Sequence, residues 1–313
     1  MTEIIELQKL GADYLAGKKI VVVIGFFDGL HQGHQKIIGK CIQRAEKING
    51  SSLVFTFDKP PLNVIKGSTH KKLITSFEEK LELIGRMGVD YIVTESFSRQ
   101  FSMISPRQFC QKILLEKFHL KEIFVGSGFR FGYKGQGDEQ YLKQFFLKHG
   151  VKVNIIPLYR IGDITVSSTN IRKFYGEGDI DKVKLLLGRK PCLWGMVEEG
   201  AKRGRGLGFP TANIGVGKKF VFPGDGVYLG EAELDKPGVL PCLVNIGNNP
   251  TFGNSDTQLE VFILDFNKSI YGAKIRVCFL KKLRREIKFS SPDQLKLQIE
   301  KDVRAAKNYF NIS

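Results

Sequence analysis

Two stretches of the chain carry residue types at spacings suited to phosphate chemistry. The first is Gly25-Phe26-Phe27-Asp28-Gly29-Leu30-His31-Gln32-Gly33-His34, directly after the apolar run at 20–24. A buried strand that ends in Gly25-x-x-x-Gly29 and turns into a helix leaves free backbone N–H groups at the carboxyl edge of a sheet. Helix N-termini there attract anions, and open α/β sheets bind ligands in that crevice. His31 and His34 are three apart, so the spacing predicts that they face one way from the first helical turn. Two imidazoles there can donate hydrogen bonds as charge builds on phosphoryl oxygens and on a departing pyrophosphate. The spacing is not that of a P-loop. The competing reading is a glycine turn with two surface histidines; the strand, the G-F-F-D-G lead-in and the helix favour the phosphate site.

Further pieces suit the same site. Ser167-Ser168-Thr169-Asn170-Ile171-Arg172 offers hydroxyls at a helix start and a guanidinium one turn in. Such a set grips phosphate, with Arg reaching across the oxygens; simple helix capping is the alternative. Gly126-Ser127-Gly128-Phe129-Arg130-Phe131-Gly132 follows a strand signal and reads either as a close nucleotide approach or as an ordinary glycine loop.

The second stretch is Gly204-Arg205-Gly206-Leu207-Gly208-Phe209-Pro210-Thr211-Ala212-Asn213. Gly204 and Gly208 let backbone approach phosphates. Thr211 and Asn213 present two neutral oxygens two residues apart, a set that suits Mg²⁺, which shares its sphere with waters and substrate phosphates. Phosphoryl transfer also needs a group that orients or deprotonates the attacking hydroxyl. Glu260, within Thr257-Gln258-Leu259-Glu260-Val261-Phe262-Ile263-Leu264-Asp265-Phe266, is the candidate. The alternative is an ordinary solvent-facing residue of an alternating strand.

The elements that must position these residues differ between the halves. Strand signals at 20–27, 52–57, 91–94, 122–126 and 151–157 alternate with helical segments at 77–87, from Ser105-Pro106, and at 138–149. Such alternation implies α/β architecture, a parallel sheet covered on both faces. Residues 168–175 and 180–187 read as two short helices, and Gly188-Arg189-Lys190-Pro191 breaks the pattern. The domain boundary is therefore placed there: 1–187 and 188–313. The second half reads as all-β, with strands at 192–198, 227–234, 240–246, 258–266 and 274–283 and a turn at Asp235-Lys236-Pro237-Gly238. Short strands with glycine-rich turns suggest a small antiparallel barrel. Leu295, Ile299, Val303, Ala306 and Phe310 form the apolar stripe of a terminal helix that packs on it.

Composition bounds the rest. A chain of 313 residues suits two domains, since single cores stop growing at about 250–300 residues. No apolar run approaches the ~20 residues that span a bilayer, and the acidic start lacks signal-peptide character, so a complete, cytoplasmic chain is expected. Five widely spaced cysteines without C-x-x-C predict reduced thiols rather than a disulfide framework or zinc site. The net charge of +16 is spread over both halves without a basic arm. It fits anionic small substrates as well as nucleic acid, and no nucleic-acid-binding signature accompanies it.

Over essentially its whole length the chain resembles the bacterial bifunctional riboflavin kinase/FMN adenylyltransferases (FAD synthetases). G-F-F-D-G-L-H-Q-G-H and S-S-T-N-I-R resemble the adenylyltransferase module; G-F-P-T-A-N, Asn245-Ile246-Gly247-Asn248-Asn249-Pro250-Thr251-Phe252-Gly253 and L-E-V-F-I-L-D-F resemble the kinase module. The resemblance implies a Rossmann-like nucleotidylyltransferase domain, a riboflavin-kinase-type barrel, and two reactions. Riboflavin takes the γ-phosphate of MgATP to give FMN. FMN then takes the AMP part of a second ATP, giving FAD and pyrophosphate. On that resemblance Glu260 is the kinase base, and Thr211 and Asn213 hold Mg²⁺ and phosphates beside Gly204 and Gly208. His31 and His34 stabilise charge at the α-phosphate. Gly25, Phe26, Phe27, Asp28 and Gly29 line the ATP site, and Ser168, Thr169 and Arg172 grip its phosphates. Three positions depart from the family pattern: Pro60 and Phe262 stand where histidine is usual, and Gly128 where Asp or Asn is usual. The first two of these in chain order, Pro60 and Gly128, imply slower adenylyl transfer. The alternative is a monofunctional riboflavin kinase with an impaired or altered adenylyltransferase domain. A flavin-sensing nucleic-acid binder is the rival from another class. The partners expected are the small-molecule substrates riboflavin, FMN and ATP, with no membrane; nucleic acid is not expected, and the sequence does not give the oligomeric state.

Overall fold

The computed structural model describes residues 2–11, 13–67, 71–199, 208–234, 238–248 and 257–312. Gly204 and the rest of the glycine run at 200–207, the turn residues 235–237 and the motif residues 249–253 lie outside the described residues. The chain divides into two compact units, Met1–Ser168 and Thr169–Ser313.

The first unit is built on β1 (Glu3–Glu6), β2 (Ile20–Ile24), β3 (Ser51–Phe57), β4 (Tyr91–Glu95), β5 (Leu120–Gly126) and β6 (Lys152–Ile156). They form one parallel sheet in the order β1-β4-β3-β2-β5-β6. Strand β2 has every residue buried because both faces of the sheet are covered. Ile20, Val22 and Ile24 enter one core with Leu53, Phe55 and Phe57. Val21 and Val23 enter the other with Val54 and with Ile38 and Cys41 of helix α1 (Gln32–Lys47). An unbroken apolar run is the expected signature of such a strand. Helices α2 (Pro61–Lys66), α3 (Phe77–Gly85), α4 (Arg99–Ser102), α5 (Pro106–Gln108) and α6 (Glu139–Leu147) complete the layers, with a π-helical stretch Phe109–Leu115 after α5. Ser76 caps α3 by accepting the Glu79 N–H, and Ser105, with Pro106 following it as the sequence predicts, also forms a capping box with Gln108. β1 lay unread: four residues paired only at the sheet edge carry too short a pattern. A hairpin of β7 (Arg160–Ile161) and β8 (Ile164–Thr165) follows β6.

The second unit opens with α7 (Ser168–Glu177) and α8 (Ile180–Leu187). These helices are built onto the barrel: Ile180 lies in its core, the Tyr175 and Phe279 rings meet edge to face, and the Gly224 N–H donates to the Tyr175 carbonyl. The barrel strands are β9 (Cys192–Glu198), β10 (Ala212–Gly215), β11 (Gly226–Leu234), β12 (Val239–Asn248), β13 (Thr257–Ile263) and β14 (Lys274–Arg284). They close in the antiparallel order β10-β13-β12-β11-β14-β9. Helix α9 (Pro292–Phe310) lays Val303, Ala306 and Phe310 against outward-facing Leu229, Leu243 and Leu280.

One expectation fails. Cys192 and Cys278 form a disulfide. They lie 86 positions apart in the chain, with Cα atoms 4.0 Å apart, because β9 and β14 are neighbours with these two residues directly paired. Spacing along the chain carries no trace of that pairing. Cys41, Cys110 and Cys242 are free and buried.

Candidate active sites

The first site sits where β2 and β3 end. Gly25 leaves room for the Phe27 ring, which a Cβ there would meet at 2.7 Å and displace. Phe27 and Leu30 take positive φ of 55° and 35°, a conformation that non-glycine residues hold only when their surroundings impose it. Those surroundings are specific. The Asp28 carboxylate, buried, accepts the N–H groups of Ile74 and Thr75. The Thr75 hydroxyl accepts the Gly29 N–H. The Ser168 hydroxyl donates to the Asp28 carbonyl at 2.9 Å. The Phe26 carbonyl accepts from the Thr56 hydroxyl at 3.3 Å and from the Lys80 ammonium at 3.0 Å.

His31 is the N-cap of α1, one position earlier than the spacing suggests: its Nδ1 accepts the His34 N–H at 3.2 Å. That bond fixes the tautomer, leaving the proton of neutral His31 on Nε2. The two rings stack with centroids 3.5 Å apart, and Phe27 meets His34 edge to face at 5.2 Å. His34 Nδ1 is buried without a hydrogen-bond partner. Burial, and then the neighbouring His31 and Lys80 charges, hold the His34 pKa well below the ordinary imidazole value, so this ring is neutral at pH 7. A buried orphan polar atom of this kind costs free energy until a ligand satisfies it.

Ser168 opens α7 at this loop, and Thr169 and Arg172 follow on the same helix. Gly128 has φ +81° with open space where a Cβ would stand, and its N–H donates to the Glu139 carboxylate. Pro60 is the residue before α2, with Pro61 in its first turn, and Lys59 is exposed. Lys80 escaped notice in the sequence because a lysine on an amphipathic helix reads as solvent-facing; it is only 3 % exposed.

The second site lies on the outer wall of the barrel. Strand register sets Asn213 directly opposite Glu260 on one side and Glu198 on the other, and Glu260 also faces Asn245. Opposed residues share a sheet face, and their inward neighbours Ile214, Val197, Leu259, Val261 and Ile246 fill the core. The register therefore places Glu198, Asn213, Glu260 and Asn245 in one polar row on the outside. Thr211 immediately precedes β10, and Gly208 takes φ +89° just before it. The side-chain oxygens of Thr211 and Asn213 suit a hard divalent cation that shares its ligands with phosphate. Two positions further along β13 on the same face, Phe262 faces Leu243 and meets the Phe209 ring edge to face at 5.7 Å. An apolar partner for the G-F-P-T-A-N phenylalanine thus stands where the family pattern has histidine. Sequence reasoning missed β10, four residues inside a glycine-rich segment, and with it the pairing that sets Asn213 beside Glu260.

Two family models match the chain without overlap: FAD synthetase over residues 15–170 and riboflavin kinase over 187–310. The bifunctional riboflavin kinase/FMN adenylyltransferase of Buchnera aphidicola subsp. Acyrthosiphon pisum is 38% identical over 295 residues, 93% of this chain and 94% of that protein. Its counterpart in Escherichia coli K12 is 33% identical and that of Bacillus subtilis 34% identical, each over 94% of this chain and 93% of the relative. A solved Streptococcus pneumoniae structure, described as a macrolide-efflux protein, superposes with a TM-score of 0.86 at 30% identity, over 97% of this chain and 99% of that one. Among the described residues no helix is long and apolar enough to cross a membrane. With two models matched side by side and relatives aligned nearly end to end, the chain belongs to the bifunctional riboflavin kinase/FMN adenylyltransferase family.

Proposed function

We propose that the two units catalyse consecutive reactions, riboflavin to FMN on the barrel and FMN to FAD on the parallel-sheet unit, each consuming ATP. The observation that carries this reading is the near end-to-end alignment with bifunctional relatives. Both family models are matched, so a kinase without its partner activity is the weaker reading.

In our assignment Glu260 accepts the proton of the terminal ribityl hydroxyl as that oxygen attacks the γ-phosphorus and ADP leaves. Thr211 and Asn213, with Gly208 and the backbone at Gly204, hold Mg²⁺ and the phosphates. The cation supplies charge neutralisation on the transferring phosphoryl group. In the other unit a phosphate oxygen of FMN attacks the α-phosphorus of ATP, and pyrophosphate departs. The Nε2–H of His31 and the unpartnered Nδ1 of His34 bond the phosphoryl oxygens as their charge grows. Ser168, Thr169 and Arg172 bind the phosphates. Gly25, Phe26, Phe27, Asp28 and Gly29 shape the loop. Of these, Asp28 acts through its carbonyl and its hold on Ile74 and Thr75, since its carboxylate is engaged there.

We place the functional boundary between residues 187 and 188, next to the start of the kinase family model at residue 187, and the enzyme in the cytoplasm, where its ATP is held. The test is a time course of purified protein with riboflavin and MgATP, resolved by chromatography. FMN appearing first and FAD following is expected; folded protein that makes no FMN overturns the assignment, and FMN without FAD supports the kinase-only alternative.

A further inference from the structure

Lys80 is a buried cation that the roles above leave unused. It lies one turn into α3, and its ammonium donates to the Phe26 carbonyl at 3.0 Å and to the Phe57 carbonyl at 2.6 Å. Those carbonyls belong to the two chain segments leaving β2 and β3 at the carboxyl edge of the sheet. The ammonium also lies 4.3 Å over the Phe26 ring. Burying an ammonium costs several kcal/mol unless its surroundings compensate it, and here they are built to do so. Asp28 and Asp58 both favour its charge, although burial still brings its pKa down to about 8. Asp58 in turn accepts from Ser96 and from the Phe97 N–H beyond β4. Asp28 holds Ile74 and Thr75, just before α3. Lys80 is thus the hub joining the ends of β2 and β3, with Asp58 extending the link to β4. Its charge reaches the histidine site, being one of the causes that lower the His34 pKa.

We propose that Lys80 is a positioning residue for adenylyl transfer: by pinning the Phe26 and Phe57 carbonyls it fixes the strained loop that aims His31 and His34 at the nucleotide. The inference rests on the histidine-pair reading of that site. A loop with Phe27 at positive φ persists only while its contacts impose it, and the Lys80 bond, with that of Thr56, holds the preceding carbonyl.

The test measures FAD formation from FMN and MgATP by Lys80→Met, Lys80→Arg, Thr56→Val and His31→Ala. Riboflavin phosphorylation by the same proteins serves as an internal control in the other unit. Loss of a positioning contact away from the reacting atoms can cost about 10²-fold, and Lys80→Met is expected to lower kcat for FAD formation by that order. The KM for MgATP should change little, and kinase activity should persist. Lys80→Arg, which keeps the charge, should recover part of kcat. A wild-type kcat in Lys80→Met, or a loss confined to KM, overturns the proposal. Should Lys80→Met lose the melting transition of the first unit, Thr56→Val decides. It removes the Thr56 donor to the Phe26 carbonyl without touching a charge. A lowered kcat supports the proposal and an unchanged one overturns it. His31→Ala separates the two readings. If it leaves FAD formation intact, the histidine-pair reading fails. If it abolishes FAD formation while Lys80→Met does not reduce it, only the role of Lys80 fails.

Discussion

The imidazoles of His31 and His34 lie stacked, centroids 3.5 Å apart and planes 17° from parallel. The geometry follows from His31 capping α1: its Nδ1 takes the His34 N–H, which draws one ring over the other. Two imidazolium ions cannot share that space, so at most one ring is charged, and the bond from the His34 N–H leaves the proton of neutral His31 on Nε2.

The depressed His34 pKa makes stability depend on pH with a definite sign. As pH falls through 6.5 the unfolded chain takes up a proton that the native site refuses. The contribution is complete above pH 6.5 and is lost towards acid, at about 1.4 kcal/mol per pH unit. Urea melts of the first unit at pH 7.5 and 5.5 should show this loss in the wild type. His34→Gln should lack that component and make no FAD.

Glu260 faces Asn213 and Asn245 across two strand pairs. Glu260→Gln preserves the row and removes the proposed base. General-base catalysis is typically worth about 10²–10⁴-fold, so riboflavin phosphorylation should fall by that order while FMN-to-FAD conversion continues. Asn213→Ala should instead raise the Mg²⁺ concentration needed for half-maximal kinase rate. Both are read from initial rates; an unchanged kinase rate in Glu260→Gln removes it from the mechanism.

The barrel does not end at Cys192. Tyr175 and Ile180, 1 % and 2 % exposed, pack on it from α7 and α8, and fully burying such side chains is worth about 1.5–3 kcal/mol each. A fragment of residues 169–313 should therefore keep riboflavin kinase activity and make no FAD. A fragment of 188–313 should melt at markedly lower temperature, by calorimetry of the two side by side.

Gly128 takes φ +81° with nothing near the position of a Cβ. Asparagine tolerates that conformation better than other side chains and adds a polar group beside the proposed nucleotide site. Gly128→Asn should raise the rate of FAD formation without altering the kinase, measured as FAD produced from FMN and MgATP. A lower rate would show that the backbone freedom of glycine is needed at this positive φ.

The local pattern of the chain was enough to place most elements. The apolar run at 20–24 announced a strand buried on both faces, and Ser105-Pro106 announced a helix start. These are short-range signals, set by periodicity, capping and turn chemistry, and they survive folding. What pairs residues distant in sequence was beyond them. Barrel closure set Cys192 on Cys278 and Asn213 on Glu260. Helix α3 folded Lys80 inward onto carbonyls more than twenty residues away, and α7 and α8 joined the barrel rather than the sheet. Burial and register decide such contacts, and both are properties of the assembled fold, because a strand's partner and a helix's covered face are chosen by the whole core.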